Sequence, residues 1–188
     1  MKSWQATILG IAGLTSAIAI GTSININVSA QSNNLTIFRE KALSRHNKLR
    51  RRHGSPALIE DSELTNLAQE WAEELANTGQ MQHRPNNLYG ENIYYAWSSQ
   101  PGFDVDGEVP VKAWYNERIN YNYDQPGFSS QTGHFTQVVW KNSTKLGCGK
   151  AKSTDDRVYI VCNYDAAGNI VGQFSENVQP VLSTMLIP

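Results

Sequence analysis

The chain has 188 residues, 16 Lys and Arg against 17 Asp and Glu for a net charge of −1, and 40% hydrophobic side chains. That balance speaks against a nucleic-acid-binding surface, and the length fits one domain large enough for a real core. Two cysteines allow at most one internal disulfide, which excludes a disulfide-dense scaffold.

The first element is a secretory signal. Lys2 is the only charge before Arg39, an apolar segment runs from Ile8 to Ile20, and Val28, Ser29 and Ala30 offer small residues for cleavage. The apolar core is short of the ~20 residues that span a bilayer, so an uncleaved anchor is the weaker reading and no transmembrane span is expected. Residues 1–30 are therefore assigned to the signal and 31–188 to one domain with a core of about 36–179. The exported protein is secreted or periplasmic. Loss of Lys2 leaves 15 basic against 17 acidic residues, a net of −2.

The mature chain opens on a helix from about Thr36 to His53, preceded by a loose Gln31–Asn34. Phe38, Ala42, His46 and Leu49 share one face, and Gly54 and Pro56 stop the helix. His46 thus points inward as a hydrogen-bonded structural residue, and Asn47 and Arg50 tie down neighbouring chain. The run Arg50, Arg51, Arg52 complements the negative helix end, a cheaper explanation than a phosphate or lipid site. The second helix spans Ser62 to about Thr78, with Leu64, Leu67, Ala68, Trp71, Ala72, Leu75 and Ala76 at helical spacing and Gly79 at its end.

His83 follows in a loop, and Tyr89 to Asn92 leads into a strand through Ile93, Tyr94, Tyr95, Ala96 and Trp97. A third helix begins near Pro110 and carries Val111, Trp114, Tyr115 and Glu117. Residues 120–133 have loop composition. Thr132 is placed to cap a short helix through Trp140, with His134 in its first turn, where the positive helix end favours a neutral imidazole suited to a metal or a proton. A capping or packing role is the plainer alternative. Cys148 and Cys162 are symmetric about Asp155 in the turn-forming run 153–156, so an antiparallel hairpin sets them opposite each other at disulfide distance. Two reduced thiols would be the outcome only in a reducing compartment. The chain beyond about Gln179 reads as a loose tail.

The segments HNKLRRRHG from His46, GEN from Gly90, WYNE from Trp114, NYNYDQPGF from Asn120, GHFTQVVW from Gly133 and VCNYDAAGN from Val161 resemble the CAP superfamily of cysteine-rich secretory, antigen 5 and pathogenesis-related proteins, or SCP domain. The run 120–150 resembles especially its Golgi-associated plant pathogenesis-related branch. The resemblance implies an α+β fold, an α-β-α sandwich with a central antiparallel sheet between helices. It also implies an open cleft in which His83 and His134 hold a divalent cation weakly, zinc above others, while Glu91 and Glu117 contact its waters. From spacing alone these four match no local metal motif.

Two functions stay open. One is a binding module for a lipid or sterol, or for a cell-envelope or extracellular partner, a second copy of the chain included. The other is a metal-assisted hydrolase, a peptidase, with Glu91 and Glu117 as its catalytic groups. Tyr94, Tyr95, Trp97, Tyr121, Tyr123 and Phe128 are candidates for an apolar groove, each with core packing as the alternative.

Overall fold

The structure is a computed structural model that describes the backbone of residues 16–183 and the side chains of residues 31–183. The chain forms two units, Met1–Asn34 and Leu35–Pro188, and everything below about packing concerns the second. The signal reading and its cleavage point fall on residues 1–30, whose side chains lie outside the described residues. Helix α1 runs Ser16–Arg52, so Gln31–Asn34 are helical and the expected start near Thr36 is corrected. No proline and only one glycine occur in that stretch, which leaves nothing to stop the helix from extending. Among the described residues, no helix is long and apolar enough to cross a membrane.

Helix α2, Ser62–Thr78, begins where Asp61 Oδ1 accepts from the backbone N–H of Glu63 at 3.0 Å and of Leu64 at 3.1 Å, and it ends at Gly79. Its stripe of Leu64, Ala68, Trp71, Ala72 and Leu75 is buried against the sheet, as the spacing predicts. Each of the larger side chains contributes roughly 1.5–3 kcal/mol through that burial. Two glycines bring it so close. A Cβ at Gly147 would lie 2.1 Å from the backbone nitrogen of Thr65, and one at Gly149 would lie 2.3 Å from that of Gln69. The LGCG run is therefore a docking strip for α2.

The sheet contains β1 (Ile59–Glu60), β2 (Gly90–Trp97), β3 (Lys145–Lys152) and β4 (Arg157–Asp165) in the order β1-β3-β4-β2. The three long strands are antiparallel, while the two-residue β1 pairs parallel to β3, so the sheet is mixed rather than purely antiparallel. The register pins β1: backbone N–H of Asp61 donates to Leu146 O at 2.9 Å, immediately before α2 starts. Along β4, Val158, Ile160, Cys162 and Tyr164 join the core beneath α1, α3 (Glu108–Asn116) and α4 (Gly133–Val139), and Tyr159 and Val161 join the core beneath α2. Helices thus cover both faces, the expected α-β-α layering. A short α5, Phe174–Asn177, sets Phe174 edge-on against Trp140.

Cys148 and Cys162 are register partners across β3 and β4 and form a disulfide with Cα atoms 4.2 Å apart. Both are buried, and closing a loop of this size adds about 3 kcal/mol of stability in the chain-entropy account.

The end of α1 is stitched to the rest of the domain. Asn47 pairs with both backbone groups of Leu58, and Arg50, fully buried, donates to four carbonyls: Pro56 O at 2.8 Å, Val138 O at 3.0 Å, Trp140 O at 2.8 Å and Ser143 O at 2.7 Å. Arg50 is thus an interior strut and not part of a solvated helix end. His46 is inward, as its position on the helix predicts. His53, which the sequence marks only as the end of the first helix, is buried too, with Nδ1–H donating to Gln179 O at 2.6 Å and Nε2 accepting from the Tyr115 hydroxyl at 2.9 Å. The C-terminal segment is tied back where Leu182 N–H donates to Arg52 O at 2.8 Å.

Candidate functional site

The loop after α2 carries His83, and a buried carboxylate shapes it. Glu91, the second residue of β2, accepts from His83 Nδ1 at 2.7 Å and from Arg84 N–H at 3.1 Å on one oxygen, and from Asn87 Nδ2 at 3.4 Å on the other. The indole N–H of Trp71 holds the same loop by donating to Gln82 O at 3.1 Å. Glu91 is 4% exposed and His83 is 67% exposed, so the acid forms the floor and the imidazole reaches outward. The hydrogen bond that His83 donates to the Glu91 carboxylate raises the pKa of His83 above its ordinary value.

His134 is held by a second pair of the same kind. Glu117 opens a 3₁₀ turn, Glu117–Asn120, that continues α3, and its Oε1 lies 2.6 Å from His134 Nδ1. Its Oε2 accepts from the backbone N–H of His134 at 3.0 Å and of Phe135 at 3.2 Å. Glu117 therefore supplies the cap of α4 that the sequence assigned to Thr132, whose hydroxyl donates instead to Ser129 O. A carboxylate reaching in from another helix satisfies two N–H groups at once, which a threonine hydroxyl cannot. Trp114 of α3 stacks on the His134 ring, with centroids 6.2 Å apart and planes 18° from parallel.

His83, Glu91 and His134 line one pocket of about 200 Å³, with Phe128 and Ser130 on its wall. Glu117 stands behind His134. In each pair the carboxylate accepts from Nδ1–H, so the neutral imidazole carries its lone pair on Nε2. That is the tautomer a metal or a proton acceptor requires. The donor set fits a cation held by two imidazoles. Among the described residues, no group of three or more His, Cys, Asp and Glu side chains is arranged to hold a metal ion.

Two asparagines that line the same pocket were not singled out in the sequence. Asn92 Nδ2 donates to His134 O at 3.1 Å and to the Tyr164 hydroxyl at 3.2 Å. Tyr164 in turn donates to Nε2 of His46 at 2.8 Å, while Nδ1–H of His46 donates to Ala42 O at 2.8 Å. A buried chain thus joins α1 to the residue that bears the site imidazole. Asn169, with φ of 60°, donates from Nδ2 to Gly133 O at 3.0 Å and accepts from the Thr136 hydroxyl at 2.5 Å, fixing the first turn of α4 from the other side. The available signal was an asparagine inside a strand, where its low β-propensity needs a reason. Of the six aromatic residues considered for a groove, Phe128 alone lines this pocket. Tyr121 is buried against Phe135, Tyr94 and Tyr123 pack on the main core, and Tyr95 and Trp97 are exposed near the far end of β2.

Residues 43–164 match the Cysteine-rich secretory protein family, CAP. The chain belongs to the CAP family. The matched stretch contains all four residues of the two His–Glu pairs and both cysteines. This CAP protein is 43% identical over 148 residues to the human Golgi-associated plant pathogenesis-related protein 1, covering 76% of the chain and 93% of that relative. It is 39% identical over 143 residues to the secreted protein RBT4 of Candida albicans, covering 73% of the chain and 37% of that longer protein. Among solved structures, that of NaASP2 with Zn2+ superposes with a TM-score of 0.62 at 25% identity, covering 79% of this CAP protein and 90% of the other chain.

Proposed function

We propose that this CAP protein is an exported binding module whose pocket takes a lipid, a sterol or another amphipathic extracellular ligand beside a weakly held divalent cation. The observation that carries the reading is the paired geometry: each imidazole has Nδ1 fixed by a glutamate, which leaves Nε2 of His83 and Nε2 of His134 as the two ligands for a cation such as zinc. A bound cation would supply a positive centre for a polar headgroup, and Phe128, 62% exposed at the wall, offers apolar contact for a chain or ring. Two protein ligands in an open pocket bind metal weakly, whereas catalytic zinc sites usually supply three. That NaASP2 takes Zn2+ supports the choice of cation.

A metal-assisted hydrolase is the second reading, and one observation favours it: Ser130 shares the pocket with two imidazoles whose Nε2 atoms could accept a proton. Glu91 and Glu117 would then act by orienting the histidines, because both oxygens of each already accept hydrogen bonds.

Zinc calorimetry separates the site from its absence. Wild type is expected to bind at least ten times more tightly than the His83→Ala, His134→Ala protein, since the two ligands are all that hold the ion. Only neutral imidazole coordinates, and the raised pKa of His83 means that binding starts to weaken above pH 6.5 as acid is added. Equal affinity in both proteins removes the metal site. A sterol and fatty-acid binding panel, run with a peptide-library digestion, then decides between the functions: turnover lost in Glu117→Gln with no lipid bound makes it a hydrolase.

We also propose export through the segment 1–30, giving a secreted or periplasmic protein. The buried disulfide supports an oxidising compartment, and the similar Candida protein is described as secreted. The intact mass of the exported protein is expected to correspond to a start near Gln31, and retention of residues 1–30 defeats this.

A further inference from the structure

The basic end of α1 is expected from the sequence to neutralise the helix terminus. Other groups do that work. Arg50 O accepts from His53 N–H at 2.9 Å and Ser55 N–H at 3.1 Å, Arg51 O from Gly54 N–H at 3.2 Å, and Arg52 O from Leu182 N–H at 2.8 Å. The Arg50 side chain is spent on four interior carbonyls and has no carboxylate beside it. The side chains of Lys48 and Arg51 are left exposed, and among the described residues they make neither a hydrogen bond nor an ion pair.

Arg45, Arg52, Arg118 and Lys141 share that lack among the described residues, while seven other cations are paired. Lys41, Lys112, Lys145, Lys150, Lys152, Arg84 and Arg157 each pair with a carboxylate. Lys48 and Arg51 instead line a groove of about 700 Å³ between α1 and the segment that follows it, together with Ser44, Asn47, Ser55 and Ala57. No acidic side chain lines it. Ser44, Lys48 and Arg51 stand at helical intervals of four and three, so a hydroxyl, an ammonium and a guanidinium fall along one stripe. The opposite wall is rigid, because Asn47 holds Leu58 by both backbone groups and Ser55 donates to Val139 O at 2.7 Å.

We propose that this groove is an anion site for a phosphate group, with Arg51 giving a forked pair of N–H donors, Lys48 a point charge and Ser44 a hydroxyl donor. A guanidinium matches a tetrahedral oxyanion in two-point geometry, and lysine adds charge without shape selectivity. The site is separate from the His–Glu pocket. Its ligand is either free phosphate or a phosphomonoester headgroup at a lipid surface, which share the same chemistry.

The test uses the mature protein at fixed ionic strength in chloride. Inorganic phosphate is titrated while backbone amide shifts are followed, and sedimentation is measured with phosphatidylcholine vesicles with and without phosphatidic acid. Phosphate is expected to move the amides of Ser44, Lys48 and Arg51, and Lys48→Gln with Arg51→Gln is expected to weaken binding about tenfold or more, from the loss of two charge-assisted contacts. The control Lys141→Gln with Lys152→Gln removes the same net charge elsewhere and is expected to leave binding unchanged. Phosphate binding without phosphatidic-acid-dependent sedimentation identifies a soluble anion, and sedimentation lost in the groove variant identifies a headgroup. Equal loss in both double variants, or no response to phosphate up to about 10 mM together with no phosphatidic-acid dependence, overturns the proposal.

Discussion

Replacing Arg50 by methionine is expected to destabilise the protein by about 3–5 kcal/mol, more than any change at the His–Glu pairs, because one guanidinium draws four carbonyls from three chain segments together at one point. Pro56 follows α1, Val138 and Trp140 end α4, and Ser143 precedes β3. Removing the side chain takes this donor from all four carbonyls, of which Trp140 O still accepts from Ser143 N–H at 3.2 Å. Burial lowers the pKa of Arg50 to about 10, so it is still a cation at neutral pH and its donors stay in place. Lysine keeps the charge but cannot reach four acceptors from one nitrogen, so Arg50→Lys is expected to fall between methionine and wild type. Urea unfolding of the three proteins measures this, and a loss below about 1 kcal/mol for methionine, the size of one ordinary hydrogen bond, would show that the strut is dispensable.

Acid is expected to destabilise the fold through His46. Burial pushes its pKa down to about 3, because the interior disfavours the charged ring, while the unfolded chain titrates near 6.5. Both ring nitrogens are already committed: Nδ1–H donates to Ala42 O, and Nε2 accepts from Tyr164, leaving no site for a second proton. Between those two values the unfolded state binds one more proton than the native state, so stability falls as the pH falls. From pH 6.5 to pH 4 this one residue removes roughly 3 kcal/mol, at about 1.4 kcal/mol per pH unit. Glutamine in place of His46 can donate and accept but cannot titrate. The slope of stability against pH is expected to be one proton smaller in His46→Gln over this range, and identical slopes would exclude His46 as the acid-sensitive group. The chain from His46 through Tyr164 and Asn92 to His134 makes that loss matter at the pocket as well as in the core.

Several elements were legible without coordinates because their causes are local. The span of α2 follows from apolar spacing and a terminal glycine. The Cys148–Cys162 bridge follows from counting residues about a turn, and an inward His46 follows from its helical phase. The six ordered segments resembling the CAP superfamily contain Glu91, Glu117 and His134, and His83 was added as the one histidine between the second helix and Gly90.

What the chain alone did not decide was how those residues use one another. The sequence places Glu117 on the third helix, and the family resemblance places it in the cleft. Only the packing of α3 against α4 turns it into both the cap of one helix and the anchor of its histidine. The sequence marked Arg50 as a residue that ties down neighbouring chain, but not its four carbonyl partners, and it did not show that Arg51 faces a groove, because a rotation of 100° per residue sends neighbours to different surroundings. The two glycines of LGCG gained their meaning only when α2 lay on them, and the mixed sheet came from a two-residue strand too short to show periodicity. Local propensity and spacing determined the elements. The partners of charged and polar groups depend on long-range contact, and only the tertiary structure supplies it.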